Sequence, residues 1–195
     1  MNSFSILSIK SCYIFSLDIS YIFLIVFVYP PFTYNNPAYL TACTGFDALA
    51  QGIEALWNVN ATEESDKYAK KAISLLWSNL PLAINNATKE IRNNIAEGSF
   101  WAGKAINITK TTAPHAFSYP FTTYYGYPHG HAVALSFPYI SELNLVNMKQ
   151  QRRSKIASQI LIYLFDKFLF VYQRHCIISI PKHQQPQNCT TAWLS

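Results

Sequence analysis

Apolar residues recur every three or four positions through the middle of the chain. The first stripe consists of Phe46, Leu49, Ala50, Ile53 and Trp57. Later stripes consist of Ala69, Ile73, Leu76 and Trp77, then Ile91, Ile95 and Ala102, and finally Val133, Phe137 and Ile140. This spacing places the side chains of each stripe on one face of a helix. The pattern predicts an all-α bundle from Thr44 to Ile140, with no sheet larger than a pair of strands.

Hydroxyl residues and prolines divide these stripes into separate helices. Predicted N-caps are Thr44, Thr62, Thr88 and Thr112, because a threonine hydroxyl can accept a hydrogen bond from a backbone N–H of the first turn. Glu63 and Glu64 favour the positive end of the helix that follows Thr62. Pro81 is expected to end that helix, and Pro120 to disturb the one after Thr112, because proline lacks an N–H donor.

The third stripe contains small residues, and the fourth follows a turn. Gly98, Ala102 and Gly103 would let a second helix approach closely. Residues 124–128, YYGYP, are predicted to form a turn, so that His129 opens the next helix.

An apolar segment precedes the helical region. Residues 12–29 read CYIFSLDISYIFLIVFVY, and Pro30 and Pro31 follow. A spanning helix needs about 20 apolar residues, and Asp18 interrupts this run. With Lys10 in front, a signal anchor is one interpretation. A buried strand, or an apolar flank without a native role, are the others, because periodicity does not separate them.

The C-terminal part of the chain consists of an apolar segment followed by a polar one. Residues 156–172 predict a buried or tail helix, and residues 181–195 are rich in Gln and Pro, which is typical of disorder. We therefore divide the chain into four parts. They are residues 1–35, an apolar segment that is a membrane anchor or a non-native flank; 36–144, the helical domain; 145–180, an apolar helix; and 181–195, a disordered tail.

The amino-acid composition argues against some classes of function. The 195 residues are 50% hydrophobic and 13% charged, with a net charge of +5, which allows one packed domain. The basic residues are scattered, without the basic, aromatic-interleaved patch of a nucleic-acid binder, so we expect no nucleic-acid partner. The four cysteines have no C-x-x-C spacing. A reducing compartment, and therefore the cytoplasm, fits best, with membrane association through residues 12–29 as the alternative.

Candidate chemistry is concentrated in two stretches. Residues 111–135 hold three of the five histidines, His115, His129 and His131, and imidazole is both a metal ligand and a proton carrier. Upstream, Asp47 and Gln51 lie four residues apart, on one face of a helix. Together they suggest a metal site. The alternatives are that Asp47 completes a capping box with the N-cap in front of it and that the histidines are hydrogen-bonded core residues.

The two stretches, TGFDALAQGIEALW and TTAPHAFSYPFTTYYGYPHGHAVAL, resemble the helical C-terminal half of the iron-containing (group III) alcohol dehydrogenases. The similarity covers residues 36–144. It implies a divalent-metal site, Fe²⁺ or Zn²⁺, with Asp47, Gln51, His115 and His129 as ligands. The family usually has a His where this chain has Gln51. The segment AGKAINITKTTAPHA is similar to the branch that reduces phosphonoacetaldehyde-like substrates.

The resemblance also implies a reaction. In an intact homologue the metal polarises an aldehyde or alcohol oxygen while NAD(P) carries the hydride, and Tyr119 stands where the family often has a His near the substrate. Tyr119 is therefore the candidate proton relay. Substrate contacts are expected from Lys104, Lys110 and His131, for a small aldehyde or alcohol that bears an anionic group such as a phosphonate. The native metal, the choice of NAD or NADP and the oligomeric state are not specified.

The nucleotide half of such an enzyme has no counterpart in the sequence. Its phosphate turn needs a Gly-rich loop at a helix N-terminus, and none of the six glycines forms one. The sequence therefore predicts the metal-binding half alone, inactive by itself, as in a truncated or mis-assembled product. The alternative functions are a non-catalytic remnant and a small membrane-attached protein.

Overall fold

The computed structural model describes the backbone of residues 5–9, 12–16 and 25–151 and the side chains of residues 28–144. The chain divides into two compact units, Met1–Thr112 and Ala113–Ser195. The first contains strands β1 (Ser5–Ile9), β2 (Cys12–Ser16) and β3 (Ile25–Val28), a 3₁₀ helix (Pro30–Thr33), and helices α1 (Ala38–Trp57), α2 (Glu63–Asn85) and α3 (Lys89–Thr109). The second contains α4 (Ala113–Tyr125) and α5 (His129–Gln151).

Helices account for all regular secondary structure from Ala38 to Gln151. The predicted all-α class is therefore confirmed for the region that carries the candidate site. In the first unit, α1 packs against both α2 and α3, and these two pack against each other. In the second unit, α4 packs against α5.

The apolar N-terminal segment contains strands. β2 pairs antiparallel with β1 and with β3, with Ile6 opposite Phe15 and Tyr13 opposite Phe27. Two of these strands lie within residues 12–29, so the strand interpretation of that segment agrees with the structure and a continuous anchor helix does not. Among the described residues, no helix combines the length and the apolar character that crossing a membrane requires.

Helix α1 is the most buried of the three α-helices of the first unit. Every residue from Thr41 to Leu56 is buried except Thr44, so α1 is enclosed on all faces, and not along a single stripe as predicted. The predicted N-cap at Thr44 is wrong, because α1 begins at Ala38, directly after Pro37. The Thr44 hydroxyl instead donates to the carbonyl oxygen of Leu40, at 2.9 Å.

The N-caps of α2 and α3 are confirmed. Thr62 accepts from the backbone N–H of Ser65, and the Ser65 hydroxyl accepts from the N–H of Thr62, which completes a capping box. Acidic side chains fill the first turn of α2, as predicted. Thr88 accepts from the N–H of Ile91.

The prediction that Pro81 ends its helix is wrong, because Pro81 lies inside α2, which continues to Asn85. Pro120 lies inside α4, which continues to Tyr125. A proline removes one helical hydrogen bond, but Leu80 and Ala83 on either side of Pro81 are almost fully buried. Burial of this apolar face offsets the loss of that hydrogen bond, so the helix continues past Pro81.

The two glycines of α3 differ in their surroundings. A Cβ at Gly98 would lie 2.7 Å from Cγ of Leu76, so this glycine permits the close approach of α2 that the sequence predicted. A Cβ at Gly103 would meet no atom within 4 Å. The prediction that Gly103 also allows a second helix to approach closely is therefore wrong.

A buried arginine ties α3 to the start of α1. The Arg92 guanidinium donates to the Thr41 hydroxyl, at 2.5 Å, and to the Asn36 carbonyl oxygen, at 3.0 Å. Burial lowers the pKa of Arg92 below its usual value. The predictions of a helix over residues 156–172 and a disordered tail over 181–195 lie outside the described residues.

Candidate metal centre

Asp47 and Gln51 lie in the middle of α1. Their side chains are four residues apart and are only 5% and 9% exposed. Because α1 begins nine residues before Asp47, at Ala38, the Asp47 carboxylate lies far from the free N–H groups of the first turn. The capping-box interpretation of Asp47 is therefore wrong. A carboxylate and an amide buried on one helix face remain compatible with a pair of oxygen ligands.

The same face of α1 carries a third polar residue, Glu54, which the sequence analysis overlooked. Glu54 is completely buried. Its carboxylate accepts hydrogen bonds from the backbone N–H of Thr112 and from the Thr112 hydroxyl, the latter at 2.7 Å. The Thr112 oxygen also accepts from Nε1 of Trp57, at 2.9 Å. Sequence position could have suggested Glu54, since it follows Gln51 by three residues on the helical repeat.

The second unit brings His115 and His129 together. His115 lies in the first turn of α4 and is buried, whereas His129 is the first residue of α5, as predicted, and is half-buried. Their ring centroids are 5.3 Å apart, and each ring offers a nitrogen within 4.8 Å of the other's. A separation of this size suits two ligands that converge on one metal ion, since ligand bonds to zinc are about 2.0–2.3 Å long.

The turn between α4 and α5 makes this approach possible. Gly126 adopts a positive φ of 70°, a conformation that glycine adopts without strain. The N–H of Tyr127 then donates to the carbonyl oxygen of Phe121, which closes α4. The chain thereby reverses within a few residues and places His129 beside the first turn of α4, as the predicted YYGYP turn requires.

Two neighbours in α4 contact His129. The Ser118 hydroxyl, which is fully buried, lies 3.2 Å from Nδ1 of His129 and 2.7 Å from the His115 carbonyl oxygen. The Tyr119 ring stacks on the His129 imidazole, with centroids 6.1 Å apart. Tyr119 is 60% exposed, so its side chain is accessible to solvent. Ser118 was not predicted, although it follows His115 by three residues and so shares its face of the helix.

His131 has a different environment from the other two histidines. It is buried, and its ring meets the edge of the Tyr127 ring at a centroid distance of 5.2 Å. Burial lowers the pKa of His131 because it disfavours the charged imidazolium. Burial therefore favours the neutral form of the His131 imidazole.

The two candidate anion-binding lysines also differ. The Lys104 ammonium lies over the rings of Tyr68 and Trp101, 4.4 and 5.3 Å from their centroids, and so makes cation–π contacts on the α2–α3 surface. Lys110 is exposed and has a positive φ of 70°. Its carbonyl oxygen accepts from Nδ2 of Asn58, at 3.2 Å. A substrate contact for either lysine stays a prediction.

Each unit therefore assembles one half of the predicted ligand set. The first holds Asp47 and Gln51 on one helix face, and the second holds His115 and His129 side by side. The convergence of the two pairs on one ion stays a prediction.

Comparison with known proteins identifies the family. The model of the C-terminal part of the Fe-containing alcohol dehydrogenase family matches residues 41–166. The chain belongs to this family. Enzymes of this family work with a divalent metal and NAD.

Named relatives agree with this assignment. Long-chain-alcohol dehydrogenase 1 of Geobacillus thermodenitrificans is 36% identical over 117 residues, which are 60% of this chain and 30% of the relative. Phosphonoacetaldehyde reductase of Streptomyces viridochromogenes is 34% identical over 91 residues, which are 46% of this chain and 23% of the relative. The chain thus spans less than a third of the length of either relative.

A solved structure shares the fold. Sulfoacetaldehyde reductase from Bifidobacterium kashiwanohense, in complex with NAD⁺, superimposes with a TM-score of 0.57 at 38% identity. The superposition covers 59% of this chain and 31% of that protein.

Proposed function

We propose that this chain supplies the metal-binding part of an NAD(P)-linked, metal-dependent alcohol dehydrogenase or aldehyde reductase. The observation that carries the proposal is the pairing of His115 with His129 across the α4–α5 turn. The ligand set would be the Asp47 carboxylate, the Gln51 amide oxygen and one ring nitrogen from each histidine. Burial of Asp47, which removes the carboxylate from water without a capping role, supports its place in this set.

The donor set fits a borderline divalent cation. Two imidazoles and a carboxylate are ligands that Zn²⁺ and Fe²⁺ accept. Gln51 contributes only a neutral oxygen, which is harder and weaker as a ligand than imidazole. We therefore propose a site that holds Zn²⁺ or Fe²⁺ more loosely than a site with a third histidine would.

When bound, such a metal supplies Lewis-acid polarisation of a carbonyl or alcohol oxygen, and the nicotinamide cofactor of the complete enzyme supplies hydride. The protein itself would hold the substrate in position and transfer a proton to or from the substrate oxygen. Tyr119 is our candidate for that role, because its exposed ring lies against His129 and its hydroxyl can both donate and accept.

The proposed substrate is a small aldehyde or alcohol, and an anionic group such as a phosphonate is favoured by two of the relatives. One is named for phosphonoacetaldehyde and the other for sulfoacetaldehyde. Lys110 is the more available cation for such a group, because the Lys104 ammonium already lies over aromatic rings. His131, buried and neutral, would act as a hydrogen-bond partner and not as a cation. We propose a cytoplasmic location, because the four cysteines have no C-x-x-C spacing and a reducing compartment fits this pattern.

Metal titration of the whole chain tests the proposal. Metal-free protein is titrated calorimetrically with Zn²⁺, and anaerobically with Fe²⁺. His129→Ala should weaken binding at least about tenfold, because it removes a ligand. His131→Gln removes an imidazole two residues away that is not in the proposed set, and it should leave the affinity within about twofold of wild type. Wild-type protein that binds neither metal would instead indicate a non-catalytic remnant.

A further inference from the structure

Ser118 occupies a position between the two histidines of the second unit. Its side chain is completely buried in α4, one turn after His115. The hydroxyl oxygen lies 2.7 Å from the His115 carbonyl oxygen and 3.2 Å from Nδ1 of His129. A single hydroxyl therefore contacts the backbone of one proposed ligand and the ring of the other.

Counting hydrogens decides the direction of both bonds. A serine hydroxyl has one hydrogen to donate and lone pairs to accept with. A carbonyl oxygen can only accept a hydrogen bond. The Ser118 hydroxyl therefore donates its one hydrogen to the His115 carbonyl oxygen. The hydroxyl oxygen must then accept in its contact with His129. That contact is a hydrogen bond only if Nδ1 of His129 carries a hydrogen.

We propose that Ser118 is a positioning residue that fixes His129 in the tautomer protonated at Nδ1 and leaves the lone pair of Nε2 available to a metal ion. In neutral imidazole one nitrogen is a donor and the other an acceptor, so a hydrogen on Nδ1 makes Nε2 the only ligand atom. The metal part of this inference rests on the proposed function. The assignment of the tautomer does not.

The rings around His129 support a fixed orientation. Tyr119 stacks on the imidazole with an interplanar angle of 28°, and His115 meets it edge-on at 61°. These contacts restrict rotation of the ring, while the Ser118 hydroxyl specifies which nitrogen carries the hydrogen. A hydrogen bond to the outer nitrogen of a ligating histidine orients the ring and raises its basicity.

Nuclear magnetic resonance of metal-free protein tests the tautomer directly. Long-range ¹H–¹⁵N correlations of the imidazoles are recorded at about pH 8, where ordinary histidines are neutral. In wild-type protein, Nδ1 of His129 should have the shift of a protonated nitrogen and Nε2 that of an unprotonated one. In Ser118→Ala the acceptor is gone, so His129 should shift towards the Nε2-protonated form, which predominates in free imidazole side chains.

Zn²⁺ titration of the same variants tests the consequence for binding. Ser118→Ala should bind about 10- to 100-fold more weakly than wild type, as expected for loss of a hydrogen bond to a metal-ligating histidine. Ser118→Thr keeps the hydroxyl and should keep the wild-type tautomer. Ser141→Ala is the matched control, because Ser141 is also buried in a helix and donates to its own backbone, at 2.7 Å from the Phe137 carbonyl oxygen. It should change neither the tautomer nor the affinity.

The outcomes separate this inference from the proposed function. Wild-type His129 protonated at Nε2, or a Ser118→Ala spectrum identical to wild type, would overturn the inference whether or not metal binds. Protonation at Nδ1 in a wild-type protein that binds neither Zn²⁺ nor Fe²⁺ would support the tautomer assignment and overturn the proposed function alone. Because the wild-type spectrum tests the assignment by itself, the test holds even if Ser118→Ala fails to fold.

Discussion

Gln51 stands at the proposed ligand position where the family resemblance implies a histidine. It is buried on α1, one helical turn after Asp47. An amide oxygen is a poor match for Zn²⁺ compared with imidazole nitrogen. If the four proposed ligands act together, the affinity of the site is limited at this position.

Gln51→His should therefore raise the affinity for Zn²⁺, and we expect a gain on the order of tenfold or more because one neutral oxygen is replaced by imidazole. Calorimetric titration beside wild type measures the change. Gln51→Leu, which removes the ligand atom but retains bulk, should move the affinity in the opposite direction. Equal affinities in all three proteins would exclude Gln51 from the site.

Thr112 holds the last residues of the first unit in place. Its backbone N–H and hydroxyl both donate to the buried Glu54 carboxylate, and its oxygen accepts from Trp57. Thr112→Val keeps the shape but leaves Glu54 and Trp57 each with one partner fewer. The free energy of unfolding should fall by about 1–3 kcal/mol, since hydrogen bonds to buried charged groups are worth this much.

Chemical denaturation of the variant measures that loss. Thr112→Ser keeps the hydroxyl and should retain most of the stability. If the valine and serine variants were equally stable, the hydroxyl bonds would contribute nothing and only the backbone bond would matter.

At the scale of elements, the contact between α2 and α3 depends on the absence of one side chain. A Cβ at Gly98 would lie 2.7 Å from Cγ and 3.0 Å from Cδ2 of Leu76, a fully buried residue. At Gly103, five residues later on the same helix, there is open space. The two glycines thus form a matched pair for measuring what close packing contributes.

The two alanine substitutions should change the stability of the protein in opposite directions. Gly98→Ala should destabilise the protein by about 1–3 kcal/mol, because overpacking displaces Leu76 and outweighs the gain in helix propensity. Gly103→Ala should stabilise it by about 0.5–1 kcal/mol through propensity alone. Thermal unfolding followed by circular dichroism measures both. A stabilised Gly98→Ala would mean that α2 and α3 can separate at no cost.

Local chemistry explains which helix ends the sequence could predict. Thr62 and Thr88 act as N-caps because each hydroxyl needs only the backbone of the next turn. Thr44 has the same local pattern but lies inside α1, which begins at Ala38, and the three residues directly before it, Thr41 to Cys43, are buried. Pro81 fails as a stop signal for a similar reason: burial of the surrounding face outweighs one lost hydrogen bond. Tertiary burial is not visible in a window of a few residues.

At the scale of the whole molecule, the sequence and the structure each specify part of the candidate site. The four-residue spacing of Asp47 and Gln51 places them on one helix face, and the turn before His129 brings it to His115. These are short-range relationships. Ser118 and Glu54 were missed because their roles depend on hydrogen bonds to residues 11 and 58 positions away. The complete four-residue set follows from family resemblance alone.

The positions of the glycines bear on cofactor binding. A nicotinamide dinucleotide needs backbone N–H groups of a Gly-rich turn at a helix N-terminus to hold its pyrophosphate. Of the six glycines, Gly45 and Gly52 lie within α1, and Gly98 and Gly103 within α3. Gly126 lies in the turn before His129, and Gly130 is the second residue of α5.

The 195-residue chain should therefore bind Zn²⁺ or Fe²⁺ but show no oxidation of NADH or NADPH with small aldehydes such as phosphonoacetaldehyde. The measurements are metal titration, calorimetric titration with NAD⁺, and absorbance of the reduced nicotinamide with and without added metal. The phosphonoacetaldehyde reductase of Streptomyces viridochromogenes serves as the positive control for the assay. Turnover by the isolated chain that requires both nicotinamide and His129 would contradict this expectation. It would mean that residues outside the helical region bind the dinucleotide without a Gly-rich turn.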